Sequence, residues 1–384
     1  MRLFISAGEP SGDLHGANLI HALRRRQPDL TIDGFGGERM AAAGCHLLYP
    51  LCDLALVGIF RVLANLPRFV SFLGLADRVF AEQRPDAVVL IDYPGFHWWL
   101  ARRARAHGIP VLYFVPPQIW GWLTGRVKKM RRLTDRVLCT LPFELEWYRQ
   151  RNVAAEYVGH PYFDELREQR LDSPFVAAQR EPPGTVIALL PGSRNQEIHY
   201  NLSSLLRAAG LIHARRPDAR FLVACLRESQ RRHVENQVRG CGLPIEVHAG
   251  RTPEIIHLAH SCLAVSGSVS LELLYRCKPS VVLYRHHAIS IALAHLLKRV
   301  PYITLVNLLA NKELFPESFG VGCPAETMAA HTLRWLNDRS AYESLCGELA
   351  ALRDRVAEPG ACERAAEAVL ALVRERDGDR PLAA

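Results

Sequence analysis

The sequence predicts an α/β protein made of two doubly wound domains, and three observations predict it. Apolar, β-branched runs of strand length alternate with helix-length segments; the alternation stops at a polar, proline-rich stretch and then resumes; and 384 residues are too many for one ordinary core yet suit two.

The first series places strands at Leu3–Ala7, Ala87–Ile91, Val111–Val115 and Val137–Cys139, with helices such as Gly16–Arg26 and Trp98–His107 between them. A βα alternation implies a parallel sheet covered by helices on both faces, with ligand sites at the carboxyl ends of the strands. Residues 171–185, LDSPFVAAQREPPGT, break the pattern after the VGHP turn, so the boundary falls between about Pro161 and Thr185 and is taken at 165/166. A second series follows at Val186–Leu190, Phe221–Ala224, Ile245–His248, Leu263–Val265 and Ser280–Leu283. The second domain is expected to span 166–340, and the Ala/Leu/Arg/Glu-rich residues 341–384 to form C-terminal helices that pack back on the body. Two Rossmann-like domains facing across a cleft outline a GT-B glycosyltransferase, an outline that two-domain dehydrogenases and binding proteins share.

Composition narrows the class. Half the residues are apolar (49%) and 22% are charged, the balance of a chain that folds around cores. Ten cysteines lie scattered from Cys45 to Cys362 without a C-x-x-C pair or zinc spacing, and read as reduced core residues of a cytoplasmic protein. No export signal opens the sequence, and charge interrupts every long apolar region before it reaches the ~20 residues of a membrane helix. The net charge is +8, of which residues 1–160 carry +6, with 20 Lys/Arg against 14 Asp/Glu. That half meets something acidic: nucleic acid, anionic lipid or a phosphorylated substrate.

Four strand ends carry candidate chemistry. Ala7-Gly8-Glu9-Pro10-Ser11-Gly12-Asp13 is a strand, a glycine turn and a helix start, a place for a phosphate or a sugar, although the spacing is not that of a dinucleotide fingerprint and Ser11 or Asp13 could equally cap the helix. Asp92 follows the strand Ala87–Ile91, where a carboxylate can accept a proton; a turn residue before Pro94 is the plainer alternative. Pro191-Gly192-Ser193-Arg194 repeats the glycine turn and adds a cation able to hold a diphosphate, or merely a solvated Arg. Ser266-Gly267-Ser268 leads into a helix whose Glu272 could hold a ribose diol or serve only the helix dipole.

Two further segments stand out. Arg126, Lys128, Lys129, Arg131 and Arg132 follow Trp120 and Trp122; without a stacking platform or zinc-finger signature they read as a solvated or phosphate-facing helix and not as a nucleic-acid site. Leu56, Ile59, Phe60, Leu63 and Leu66, continued by Phe69, Phe72 and Leu73, form a wide apolar helical stripe. Such a stripe is core when buried and an interfacial membrane helix when exposed.

At these residues the chain resembles the lipid-A-disaccharide synthases. The shared blocks keep one order from about Arg2 to Glu317: AGEPSGD (7–13), IDYPGF (91–96), VPPQIWGW (115–122), LPFE (141–144), VGHP (158–161), LLPGSR (189–194), VSGSVSLELL (265–274) and TLVNLLANKEL (304–314). The resemblance implies a GT-B enzyme that transfers 2,3-diacylglucosamine from UDP-2,3-diacylglucosamine to the 6-hydroxyl of 2,3-diacylglucosamine 1-phosphate with inversion, without metal or cofactor. It implies Asp92 as base, Glu9 as an acidic residue of the acceptor loop and Arg194 on the donor diphosphate. Gly8, Ser11, Gly12, Gly192, Ser193, Ser266, Gly267, Ser268, Glu272 and Asn307 would line the substrates, and Ile59, Phe60, Leu63 and Leu66 would face the membrane. A peripheral place on the cytoplasmic face of the inner membrane follows, with no nucleic-acid partner and with a homodimer left open. Gly95 and His97 depart from the family's IDxPDFN, Leu123 from the Arg of WAWR, Arg61 from a usual Glu, and Asn311-Lys312 from Gly-Arg, which bears on acyl-chain preference and the acceptor loop. Two other readings stand beside this one: a related GT-B transferase or 2-epimerase acting on UDP-N-acetylglucosamine, and a non-catalytic lipid- or nucleotide-binding protein.

Overall fold

A computed structural model describes residues 1–54 and 66–378. Within it the chain forms two compact units, one of Met1–Glu165 joined by the chain from Glu358 onward, the other of Leu166–Ala357.

The first unit is a seven-stranded sheet. In chain order its strands are β1 (Arg2–Ala7), β2 (Thr31–Phe35), β3 (His46–Tyr49), β4 (Ala87–Ile91), β5 (Val111–Phe114), β6 (Arg136–Cys139) and β7 (Ala155–Tyr157). They pair in parallel in the order β3-β2-β1-β4-β5-β6-β7. Alternate side chains feed opposite cores, because successive strand residues point to opposite faces. Leu3, Ile5, Val89, Ile91 and Phe114 pack with helix Pro10–Arg26 and the last helix, Ala361–Gly378. Phe4, Val88, Leu90, Val111 and Tyr113 pack with helices Leu66–Glu82, Pro94–Ala106 and Val127–Leu133.

The second unit repeats the plan with β8 (Thr185–Leu190), β9 (Ala219–Cys225), β10 (Ile245–Ala249), β11 (Ser261–Val265), β12 (Ser280–Arg285) and β13 (Glu317–Gly320), all parallel, in the order β10-β9-β8-β11-β12-β13. Its main core sets Ile187, Leu189, Phe221, Val223, Leu263 and Leu283 against helices Asn195–His213 and Ala325–Asn337.

Residues 341–384 do not act as one element. Helix Arg339–Val356 belongs to the second unit, whereas helix Ala361–Gly378 returns to the first and covers helix Pro10–Arg26 with Ala365, Ala366, Val369 and Val373. Helices also start earlier than their apolar periodicity suggests: Pro10 and Pro94 occupy first-turn positions that need no amide hydrogen, so the turns begin there and not at Gly16 and Trp98. Six of the ten cysteines are buried, while Cys241 and Cys323 are exposed, which corrects the reading of all ten as core. No helix among the described residues is long and apolar enough to cross a membrane.

Candidate functional site

Each sheet has one switch point, where strand order reverses from the middle outward: β1 and β4 in the first unit, β8 and β11 in the second. An open parallel sheet binds ligands beyond the carboxyl ends of such a strand pair, because the loops there diverge to opposite faces and leave a crevice. The four candidate segments are the loops at these two places. Ala7 pairs with Ile91, so Gly8-Glu9 and Asp92-Tyr93 emerge side by side; Leu190 pairs with Ala264, so Pro191–Arg194 and Ser266–Ser268 do the same.

In the first unit the two loops pack tightly. A Cβ on Gly8 would stand 2.2 Å from the Tyr93 ring, so only glycine lets that ring lie across the turn. Asp92 and Tyr93 both adopt left-handed backbone, with φ of +49° and +48°. Each such non-glycine residue costs roughly 1–3 kcal/mol, which the surroundings must supply. They do so at the Asp92 carbonyl, which accepts hydrogen bonds from the Tyr113 hydroxyl and from His97 Nδ1, both at 2.6 Å. A carbonyl only accepts, so His97 carries its proton on Nδ1 and its Nε2 accepts from the Ser6 hydroxyl, 2.9 Å away. Burial lowers this imidazole to about 4 and keeps it neutral. Burial, with the Asp92 charge adding to it, pushes the Tyr113 phenol well up, so the hydroxyl stays a donor. Asp92 itself is half-buried at the strand end, beside a half-buried Glu9 whose charge, after burial, helps raise Tyr93.

The rest of the AGEPSGD block divides by role. Ser11 is exposed and Gly12 is buried, with the space around its α-carbon bounded by Ala7 and the Ile91 carbonyl. Asp13 is buried, and its carboxylate accepts the amides of Gly37, Arg39 and Met40 at 2.7–3.1 Å, which ties the helix to the loop after β2. Asp13 therefore caps the short helix Glu38–Ala42 and not its own. Similarly, Trp120 Nε1 donates to the buried Glu144, which also accepts the amides of Thr140 and Leu141; this joins the VPPQIWGW and LPFE blocks.

In the second unit Gly192 has φ +109°, and a side chain there would strike Glu197. The Glu197 carboxylate reaches back to the amides of Ser193 (2.9 Å) and Arg194 (3.1 Å), and pairs with the Arg194 guanidinium at 3.2 Å. The amides of the N-cap residue Arg194 and of Ser193 before it are thus satisfied by the third residue of helix Asn195–His213, as in a capping box. The N-cap-to-N3 spacing of Arg194 and Glu197 was the available signal for it. Beside this turn a pocket of about 400 Å³ opens, lined by Asn195, Ile198, His199, Ser229, Gln230 and His233. Ser266 is half-buried and Gly267 and Ser268 are exposed; the Ser270 hydroxyl and amide both donate to the Gly267 carbonyl and fix the turn. Glu272 is buried and pairs with Arg276 at 3.0 Å, so it is more than a surface partner of the helix dipole.

Asn307 has a structural role of its own. It is completely buried, its Oδ1 accepts the amides of Leu314 and Phe315 at 2.9 Å, and its Nδ2 donates to the Phe315 carbonyl and to Glu317. With both ends of the amide spent on these groups, it clamps the 307–317 loop. Ile59, Phe60 and Leu63 lie outside the described residues; Leu66 opens helix Leu66–Glu82, and Phe69 and Phe72 of the same stripe are core. Among the described residues no group of His, Cys, Asp and Glu could hold a metal ion.

The family profile for lipid-A-disaccharide synthetase matches residues 3–371, across both units and all four loops. The chain belongs to the lipid-A-disaccharide synthetase family. It is similar to the lipid-A-disaccharide synthases of Myxococcus xanthus (38% identical over 377 residues, 97% of each chain) and Anaeromyxobacter dehalogenans (37% over 389 residues, 97% of this chain and 98% of the other). Among solved structures it resembles a UDP-GlcNAc 2-epimerase from Neisseria meningitidis bound to UDP-GlcNAc (TM-score 0.65, 11% identical, 96% of this chain and 100% of that one) and MurG from Acinetobacter baumannii (TM-score 0.57, 12% identical, 97% and 99%). At such identity these likenesses speak for the GT-B fold alone. Family membership makes the chain a glycosyltransferase of lipid A biosynthesis, and this reading outweighs the epimerase and the non-catalytic alternatives.

Proposed function

We propose that the enzyme transfers 2,3-diacylglucosamine from its UDP carrier to the 6-hydroxyl of 2,3-diacylglucosamine 1-phosphate, giving the β-1,6 disaccharide 1-phosphate and UDP. The observation that carries the residue assignment is the placement of the Asp92 and Arg194 loops at the switch points of the two sheets.

Asp92 accepts the proton of the acceptor O6 as that oxygen attacks the anomeric carbon, and the bond from that carbon to the UDP oxygen breaks on the opposite face, which inverts the centre. Glu9 lies in the loop beside it and, with Gly8, Ser11 and Gly12, borders the acceptor. The leaving diphosphate gathers charge, and Arg194 meets it with Gly192 and Ser193 at the positive end of helix Asn195–His213, trading its Glu197 partner for phosphate oxygens. Ser266, Gly267 and Ser268 approach the nucleotide, and Glu272, held by Arg276, takes the ribose. Because both substrates carry acyl chains, the enzyme works peripherally at the cytoplasmic face of the inner membrane; the basic balance of residues 1–160 and the apolar stripe at 59–66 support this.

The test is UDP release from UDP-2,3-diacylglucosamine by the purified chain in detergent micelles, with and without 2,3-diacylglucosamine 1-phosphate. Acceptor-dependent release with a disaccharide product is expected. Tight UDP binding without acceptor-dependent release would overturn the proposed acceptor.

A further inference from the structure

Helix Ala288–Leu297, AISIALAHLL, takes no part in the chemistry above, and its sequence is at odds with its place in the second unit. Apart from Ser290 and His295 it is aliphatic, a composition that suits a helix covered on every side. The unit covers one side only. Ile291 is 7% exposed and packs inward, and the His295 ring, one turn on, lies 4.7 Å from the ring of Phe319 in β13. Ile289, Leu293 and Leu296 stand at i, i+4 and i+7, which is the opposite face. Their side chains are 84%, 54% and 71% exposed, and Ala292 between them is exposed as well. Single apolar residues on a surface need no explanation. Here, however, three of the nine large apolar side chains exposed among the described residues fall on one stripe two turns long.

The charges around the stripe point to what covers it. No Asp or Glu occurs between Glu272 and Glu313, a stretch that holds six Lys and Arg. Lys298 and the exposed Arg299 follow the helix directly, and His286 and His287 precede it. An apolar stripe bracketed by cations is what an interfacial helix offers an anionic leaflet, where the aliphatic groups enter the acyl boundary and Lys and Arg meet the phosphates. A second copy of the chain suits it less. Three side chains over two turns are few against the roughly 20–30 residues a side of a stable interface, and pairing would set one carboxylate-free segment against another.

The helix also starts at the functional edge of its sheet. It follows β12, whose neighbour β11 ends in the Ser266–Ser268 loop, and the Ser266 amide donates to the Leu283 carbonyl of β12 at 3.0 Å.

We infer that helix Ala288–Leu297 docks on an anionic lipid surface through Ile289, Leu293 and Leu296. This gives the second unit a membrane contact of its own; it rests on the peripheral location proposed above and not on the reaction. A donor whose acyl chains lie in that surface is then presented at the sheet edge that carries Ser266–Ser268.

Two variants of the full chain test this: Ile289→Gln with Leu293→Gln and Leu296→Gln, which keeps good helix formers, and Leu293→Trp. Partitioning is read by co-sedimentation with phosphatidylcholine vesicles, with and without phosphatidylglycerol. Insertion is read by quenching of tryptophan fluorescence with bromine-labelled phosphatidylcholine in the same vesicles. The wild type is expected to bind the vesicles that contain phosphatidylglycerol, and the triple variant to partition into them roughly tenfold or more weakly, with UDP affinity unchanged. Leu293→Trp should be quenched beyond the wild type. Vesicle binding by Leu293→Trp without that added quenching overturns the inference and leaves the peripheral location standing, whereas a wild type that binds no vesicles overturns both. Binding to both kinds of vesicle alike overturns the anionic surface. Wild-type partitioning of the triple variant overturns the inference too; a dimer turned monomer in sedimentation velocity would then assign the stripe to a second copy, and a raised KM for the UDP-sugar in micelles to the acyl chains of the donor.

Discussion

Asp92 is held in a costly conformation by groups that do not react, and this sets what single substitutions should do. Asp92→Asn removes the proposed proton acceptor but none of the contacts to its carbonyl, so turnover should fall by about 10²–10⁴ while UDP affinity, assigned in the proposed mechanism to the other unit, stays within error. Near-wild-type turnover in this variant would remove Asp92 from the role of base. His97→Ala takes one donor from the Asp92 carbonyl and leaves Ser6 without its partner. Its expected signature is a lower kcat with little change in acceptor KM, partly recovered in His97→Asn, which keeps a donor. An equal loss in both variants would make His97 a packing residue only. The same burial writes a pH dependence. Burial lowers His15 and His97 to about 4 and His160 to about 3, the last also through His15. An unfolded histidine titrates near 6.5. Above that value neither state binds the proton, and the full stability is present. As pH falls from 6.5 toward 4 the unfolded chain takes up protons that the native chain refuses, so stability declines by on the order of 2 kcal/mol per histidine at pH 5. Urea melts at pH 7.5 and 5.0 should show this decline in the first unit, with a shallower slope in His97→Asn.

At the scale of elements, the loops at the four strand ends were legible because glycine turns and a lone charge after an apolar run are local signals. The central strands were legible for the same reason, each being a short apolar run. What escaped was non-local or weakly apolar. Thr31–Phe35 carries Asp33 and Gly34, and His46–Tyr49, Ala155–Tyr157 and Glu317–Gly320 are short outer strands with mixed faces, so no run of branched residues marks them. Asn307 sits in a shared block, yet nothing in the block tells a ligand contact from a loop clamp; the difference lies in the amides of residues seven and eight positions later. That difference is measurable. Asn307→Ala leaves the Leu314 and Phe315 amides buried and unpaired, at a cost of about 2–4 kcal/mol, so the second unit should melt at a lower temperature while UDP affinity at saturating stability changes little. A large loss of UDP affinity in a variant that still melts like the wild type would make Asn307 a substrate contact and not only a clamp.

At the scale of the molecule, the first unit is completed by the end of the chain. Helix Ala361–Gly378 covers helix Pro10–Arg26, and its buried Val369, Leu370, Leu372 and Val373 belong to the same core as Leu3, Ile5 and Ile91, the strand residues that lead into the Gly8 and Asp92 loops. The chain reaches that position through Asp164, whose carboxylate accepts the amides of Gly360 and Cys362, and through Arg364, which donates to the Val158 carbonyl of the VGHP turn. Four large apolar side chains at roughly 1.5–3 kcal/mol each approach the whole stability of a typical domain, 5–15 kcal/mol. A chain ending at Ala357 should therefore lose the first unit and keep the second. Amide hydrogen exchange reads the two separately: protection in β1 and β4 should collapse while β8 and β11 stay protected, and UDP binding should survive where acceptor-dependent turnover does not. Unchanged protection in β1 and β4 would show that the first unit holds its sheet, and with it the Asp92 loop, without the returning helix.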